Sequence, residues 1–103
     1  MKKIVLIYIT NPSLKTAKST VLLLLKKRLI ACANIFPVQG VYRWKNRITN
    51  EKEFVLIAKT SANKFAAVKR AVEKTHPYSV PCVIKIDAGV NAKYFKWLCG
   101  EIE

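Results

Sequence analysis

One histidine, three cysteines and six acids are all that this sequence sets against 19 lysines and arginines, so few side chains could do chemistry. The histidine, His76, opens the segment His76-Pro77-Tyr78-Ser79-Val80-Pro81-Cys82. Two prolines stiffen that segment, which holds His76 and Cys82 in a defined relation. Imidazole and thiolate are both good ligands for copper and zinc. The spacing is not that of a zinc finger or knuckle, and two ligands do not close a structural zinc site. Two readings stay open: a metal-ligating pair, or a ring bonded to backbone at a helix end beside a cysteine packed as a small hydrophobe. A single histidine with no fixed partner argues against acid–base chemistry and against a Cys-His nucleophile.

The other candidates read as structural. Cys32 follows Leu29-Ile30-Ala31 and belongs in the core, while Cys99 falls in a short final helix. An odd number of cysteines without CxxC spacing suits a reducing cytoplasm better than a disulfide framework. Glu51 and Glu53 alternate along one strand amid Arg47, Lys52 and Lys59, the pattern of a surface charge ladder. No Gly-rich phosphate loop, HExxH or GxSxG occurs. The aromatics Tyr42, Trp44, Tyr78, Tyr94 and Trp97 could line a pocket or pack a core or interface.

The elements that must position these residues centre on 32–60. Two strands, Cys32–Trp44 and Ile48–Thr60, are joined by a tight turn at Lys45-Asn46, where Asn tolerates left-handed backbone. Pro37 cannot donate to a ladder and requires a bulge or an edge. Thirteen residues of strand span about 43 Å, whereas a chain of this size has a radius of gyration of about 13 Å. The hairpin must curl or project. Its far end carries Val41, Tyr42, Trp44 and Ile48 with little of its own chain to cover them, so a further copy is the natural partner. Phe54–Ala58 is apolar on both faces and should lie centrally in the sheet.

Around the hairpin, Ile4–Thr10 reads as a buried strand. Asn11 and Pro12 supply a cap and a first helical residue for a helix bearing Leu14, Ala17, Val21, Leu24 and Leu25. A second helix from about Ser61 places Phe65, Val68, Ala71 and Val72 inward and ends before Pro77. Val80–Asp87 reads as a strand broken at Ala88-Gly89, and Asn91 caps a third helix. The order β-α-β-β-α-β is the split βαβ, ferredoxin-like arrangement. Right-handed crossovers put two helices on one face of an antiparallel sheet and leave the other face to be covered by a subunit, a ligand or the third helix.

Composition narrows the classes. The 51% hydrophobic fraction excludes disorder, and 103 residues suit one domain, 1–103. A net charge of +13 raises nucleic acid and anionic membranes as partners, but the lysines are scattered over every element, as on a solvated surface. The third strand lacks the Gly and paired aromatics with which an RNA-recognition module stacks bases. No specific nucleic acid and no membrane partner is expected. The longest apolar run of the first helix, Val21–Leu25, is far too short for a membrane span, and Ile4–Ile9 is too short for a secretory signal core.

Taken in order, Leu29-Ile30-Ala31-Cys32-Ala33-Asn34, Tyr42-Arg43-Trp44, Ile48 with Glu51, Lys59-Thr60, His76-Pro77-Tyr78-x-Val80-Pro81 and Tyr94-x-x-Trp97-Leu98 resemble the CutA divalent-cation tolerance family. The resemblance runs from Thr10-x-Pro12 to Trp97. It implies a ferredoxin-like trimer, similar to the PII signalling proteins, with long hairpins packed between subunits. It also implies a non-catalytic role in tolerance to copper or another divalent metal ion, weakly bound. Family members with a proposed metal site use a Cys just before Thr-x-Pro, the His of His-Pro-Tyr and a carboxylate just after Val-Pro. Those positions here hold Ile9, His76 and Cys82, so Ile9 cannot ligate, and Cys82 shifts preference toward Cu(I) or Zn. The turn departs as well, with Asn46 where members often carry Gly. The resulting expectation is an α+β, ferredoxin-like βαββαβ sandwich with an added C-terminal helix, trimeric through the 32–60 hairpin and cytoplasmic, with His76 and Cys82 as metal ligands. The competing expectation is a PII-like signalling or scaffold trimer that binds a small anionic ligand between subunits.

Overall fold

The computed structural model describes residues 1–102. Its elements follow the order β1 (Lys2–Asn11), α1 (Leu14–Lys26), β2 (Cys32–Trp44), β3 (Arg47–Thr60), α2 (Phe65–Thr75), β4 (Val83–Val90) and α3 (Ala92–Glu101), with one 3-10 turn at Ala62–Lys64 before α2. The four strands pair antiparallel in the order β2-β3-β1-β4. This is the ferredoxin-like α+β arrangement.

Alternation along β1 separates two layers. Val5, Ile7 and Ile9 turn toward α1 and α2, where they pack with Leu24, Leu56 and Val72. The residues between them face the opposite side. There α3 covers one end, with Leu98 packed on Ile4 and Ala31 beside Tyr94 and Phe95. The rest of that side stays open: Phe36 is 38% exposed, Ile84 47% and Ile86 41%. The third helix therefore closes only part of the second face.

β3 is central, as its doubly apolar Phe54–Ala58 requires, and β2 is an edge of the sheet. Pro37 sits on that edge with the register unbroken, Phe36 opposite Val55 and Val38 opposite Glu53, so the missing N–H needs no bulge. Trp44 pairs with Arg47, and the two turn residues, Lys45 (φ 49°) and Asn46 (φ 64°), both take left-handed backbone, as a type I′ hairpin demands. The longest extent of the molecule, 45 Å, matches the length of such strands. The hairpin projects.

Several boundaries differ from expectation. Asn11 does not cap α1: it ends β1 fully buried, and its Nδ2 donates to the carbonyls of Ile9 and Phe54, each at 3.2 Å. Ser13 takes the cap instead, its Oγ accepting the Thr16 N–H at 3.1 Å, so Pro12 lies before the helix. α1 closes through Arg28, which adopts φ 55° while Arg28 N–H donates to Leu25 O and Leu29 N–H to Leu24 O, both 3.0 Å. That is a Schellman closure without glycine. β4 begins at Val83 rather than Val80 and continues through Ala88-Gly89 to Val90, because Gly89 pairs with Lys3 and Val90 with Lys2. A Cβ at Gly89 would meet Met1 at 3.3 Å, so this glycine admits a neighbour and does not break the strand.

Candidate functional site

The hairpin, the connector after α2 and the end of β1 converge on the open side of the sheet. Glu51 and Glu53 on β3 share a face. The register places Gly40 opposite Glu51 on β2, with Tyr42 and Trp44 further along the same face. Pro77, Tyr78, Ser79 and Val80 of the connector form the other wall, and Thr10 closes the base of a cavity of about 460 Å³. Pocket sites for small molecules have volumes of this order.

Two tyrosine–glutamate hydrogen bonds organise the cavity. Tyr42 Oη–H donates to Glu51 Oε1 at 2.6 Å and Tyr78 Oη–H donates to Glu53 Oε2 at 2.7 Å. The bond to Glu51, with burial, pushes the Tyr42 phenol up to about 12, since the neutral phenol is the donor. Burial first, and then the bond to Glu53, raise Tyr78 further still. Glu53 itself is only 7% exposed, and its Oε1 lies where a Cβ on Gly40 would be, at 2.1 Å. The glycine opens the space that lets the carboxylate lie against β2.

These acids are therefore not a charge ladder. The ion pairs among the described residues are Lys69–Glu73 and Lys85–Asp87, so Glu51 and Glu53 pair with none of Arg47, Lys52 or Lys59. Lys52 instead lies over the Phe54 ring, 5.5 Å from its centroid, and Lys59 over Tyr94 at 5.5 Å. The i, i+2 spacing was visible in the sequence. What it lacked was any sign that Tyr78, 25 residues away, would reach Glu53.

His76 stands at the end of α2 beside this cavity. Its Nε2–H donates to the Thr10 carbonyl at 2.8 Å, and its Nδ1 accepts the Tyr78 N–H at 3.0 Å. That pair of partners fixes the Nε2–H tautomer, because Nδ1 must be the acceptor. The ring also packs on Tyr78 with centroids 4.8 Å apart. Such bonding to backbone is what the helix-end reading of His76 requires. Cys82 is half-buried, and burial, reinforced by the nearby Glu53 charge, pushes its thiol above the usual 9.0. Tyr78 thus links His76 to Glu53, and the Glu53 charge reaches Cys82. Among the described residues no three His, Cys, Asp or Glu side chains gather as a metal cluster. Ile9 is wholly buried on the helix side of β1, facing away from the cavity.

The remaining candidates stand apart from the site. Cys32 Sγ lies 3.0 Å from Tyr94 Oη, the ring of Trp97 is 5.4 Å from that of Tyr94, and Cys99 is exposed on α3. No helix among the described residues is long and apolar enough to cross a membrane.

Comparison with known proteins gives consistent results. The model of a family described as CutA1 divalent ion tolerance protein matches residues 5–101. The divalent-cation tolerance protein CutA of Pyrococcus horikoshii is 40% identical over 98 residues, which cover 94% of this chain and 96% of that one. The protein of the same description from Thermus thermophilus is 36% identical over 100 residues, 95% of each chain. Among solved structures, CutA1 from Pyrococcus horikoshii superposes with a TM-score of 0.93 at 38% identity, covering 96% of this chain and 98% of the other. A structure from Archaeoglobus fulgidus, described as a periplasmic divalent cation tolerance protein CutA, gives a TM-score of 0.92 at 39% identity, with 97% and 99% covered. These descriptions name tolerance to ions and no reaction.

Proposed function

This chain belongs to the CutA1 divalent ion tolerance family, and we propose that it serves divalent-cation tolerance as a non-catalytic, cytoplasmic homotrimer that takes up copper or a similar ion weakly at His76 and Cys82. The observation that carries the site is the tautomer of His76. Its Nε2–H is committed to the Thr10 carbonyl, the outer-shell bond that orients a metal-binding imidazole and leaves Nδ1 with the lone pair. Imidazole and thiolate together suit Cu(I) or Zn.

Weak affinity follows from the same geometry. Nδ1 must give up the Tyr78 N–H to ligate, and Cys82 must lose a proton that burial holds on the sulfur. Two side chains leave the coordination sphere open, so water or a neighbouring subunit completes it. Ligation deprotonates the thiol, so uptake strengthens as pH rises. Trimerisation is supported by the projecting hairpin tip, where Ile48 is 67% and Val41 64% exposed, and by the uncovered Phe36, Ile84 and Ile86.

The test is calorimetric titration of Cu(I) into the wild type, His76→Ala, Cys82→Ala and the double variant. Each single variant should weaken binding, and the double should lose little more than either. Equal binding by wild type and double variant would refute the site.

A further inference from the structure

The outer layer of the fold, formed by α1 and α2, carries a charge pattern that the order of the sequence hides. α1 and its closing turn hold Lys15, Lys18, Lys26, Lys27 and Arg28 and no acid. α2, packed on the same side of the sheet, adds Lys69, Arg70 and Lys74, and its one acid, Glu73, is paired with Lys69 at 3.7 Å. Glu101 reaches only the end of α1, where its carbonyl accepts Arg28 Nη1–H at 3.2 Å. The surfaces on which a trimer would close, the hairpin tip and the open sheet face, do not include α1, so its outward side stays in solvent.

Leucines stand among these cations. Ala17, Thr20 and Leu24 form the buried stripe of α1. On the opposite side the i, i+4 row Leu14–Lys18–Leu22–Lys26 alternates leucine with lysine, flanked by Lys15 and Leu25. Leu22, within that row, is 60% exposed, Leu14 41% and Leu25 37%. We propose that this face of α1 lies on an anionic phospholipid bilayer, the leucines entering the acyl boundary and the lysines meeting lipid phosphates. Lysine stems cover apolar surface while their ammonium groups stay among the headgroups. The negative potential of an anionic leaflet attracts such a basic group of residues. The sequence excludes a spanning helix and scatters its lysines, but the fold gathers them on one layer with little opposing acid, and a helix lying in the interface needs no span. A nucleic acid would use the lysines and leave the three leucines uncovered, because backbone phosphates offer them no apolar surface.

The experiment is flotation of the intact protein with lipid vesicles in chelator-treated buffer at about 0.1 M salt, so that the outcome does not depend on metal uptake. The vesicles are phosphatidylcholine alone, or phosphatidylcholine with phosphatidylglycerol as one-third of the lipid. Binding to the mixed vesicles is expected, with little to phosphatidylcholine alone, and it should fall as salt is raised. Lys15→Gln with Lys18→Gln should weaken it roughly twentyfold, at about fivefold for each basic group near an anionic surface. Lys93→Gln with Lys96→Gln makes the same charge change at exposed positions of α3 and should leave binding within about twofold. Leu22→Gln keeps helix propensity and every charge, and should weaken binding about tenfold. All five positions are exposed on helices, so the variants should keep the wild-type fold, which circular dichroism checks. Failure to float with the mixed vesicles, an equal loss in the α3 variant, or undiminished binding in Leu22→Gln would each overturn the proposal. A face made for nucleic acid would give the last of these results.

Discussion

Gly40→Ala tests whether Glu53 is held where the structure puts it. Gly40 has no left-handed φ, so alanine fits its backbone and the penalty must come from contact. The added Cβ would lie 2.1 Å from Glu53 Oε1, 3.0 Å from Cδ and 3.4 Å from Cγ. No such approach survives, so the carboxylate must move. Glu53 cannot move freely, because it is buried and its Oε2 receives the Tyr78 hydroxyl at 2.7 Å. Losing a hydrogen bond to a charged acceptor costs about 1.5–3 kcal/mol, and replacing glycine in a strand returns about 0.5–1 kcal/mol. The expected net destabilisation is roughly 1–2 kcal/mol, or a melting temperature lower by about 4–8 °C for each kcal/mol in a domain this small. Melts should be compared at equal protein concentration, because assembly makes them concentration-dependent. Ultraviolet titration provides a second readout: the Tyr78 phenol should fall back toward its ordinary 10.0. In a Glu53→Ala background the penalty should vanish, since the clash has gone. A Gly40→Ala variant at least as stable as the wild type, with Tyr78 unmoved, would refute the geometry of the cavity.

Three further outcomes are expected. Thr60 is fully buried and its Oγ1–H donates to Leu29 O at 2.7 Å, so Thr60→Val should cost about 1–3 kcal/mol in urea unfolding by orphaning that carbonyl. Stability should fall as pH rises past about 9: unfolded Cys82 ionises near its usual 9.0 and unfolded Tyr42 and Tyr78 near 10.0, whereas all three hold their protons longer when folded. The unfolded state then binds fewer protons, which makes the slope negative, and Tyr42→Phe with Cys82→Ala should flatten that alkaline decline. Trp44→Ala and Ile48→Ser should shift sedimentation from about three times 11.7 kDa toward the single chain, and Trp44→Ala should cost roughly 3–5 kcal/mol per site if the ring is packed against a neighbour. Unchanged sedimentation in both would place the tip outside any interface.

Local pattern alone carried much of this fold. Two strand-like runs about the turn at Lys45-Asn46 placed β2 to the residue and β3 to within one, and the doubly apolar Phe54–Ala58 had to be central, because a strand apolar on both faces needs cover on both. The β-α-β-β-α-β order then allowed few arrangements. Choices between near-equal local options were not legible. Asn11 and Ser13 are both good caps, and it was Phe54, across the sheet, that claimed the Asn11 side chain. Gly89 reads as a breaker until Lys3 pairs with it. The site divides in the same way. His76 and Cys82 stand out as residue types on a rigid connector, whereas Glu53 looks like surface charge until β2 supplies a glycine beneath it and Tyr78 folds over it. Composition and spacing report what a residue can do. Which of its partners arrives depends on contacts made across tens of residues, and those exist only once the sheet has closed.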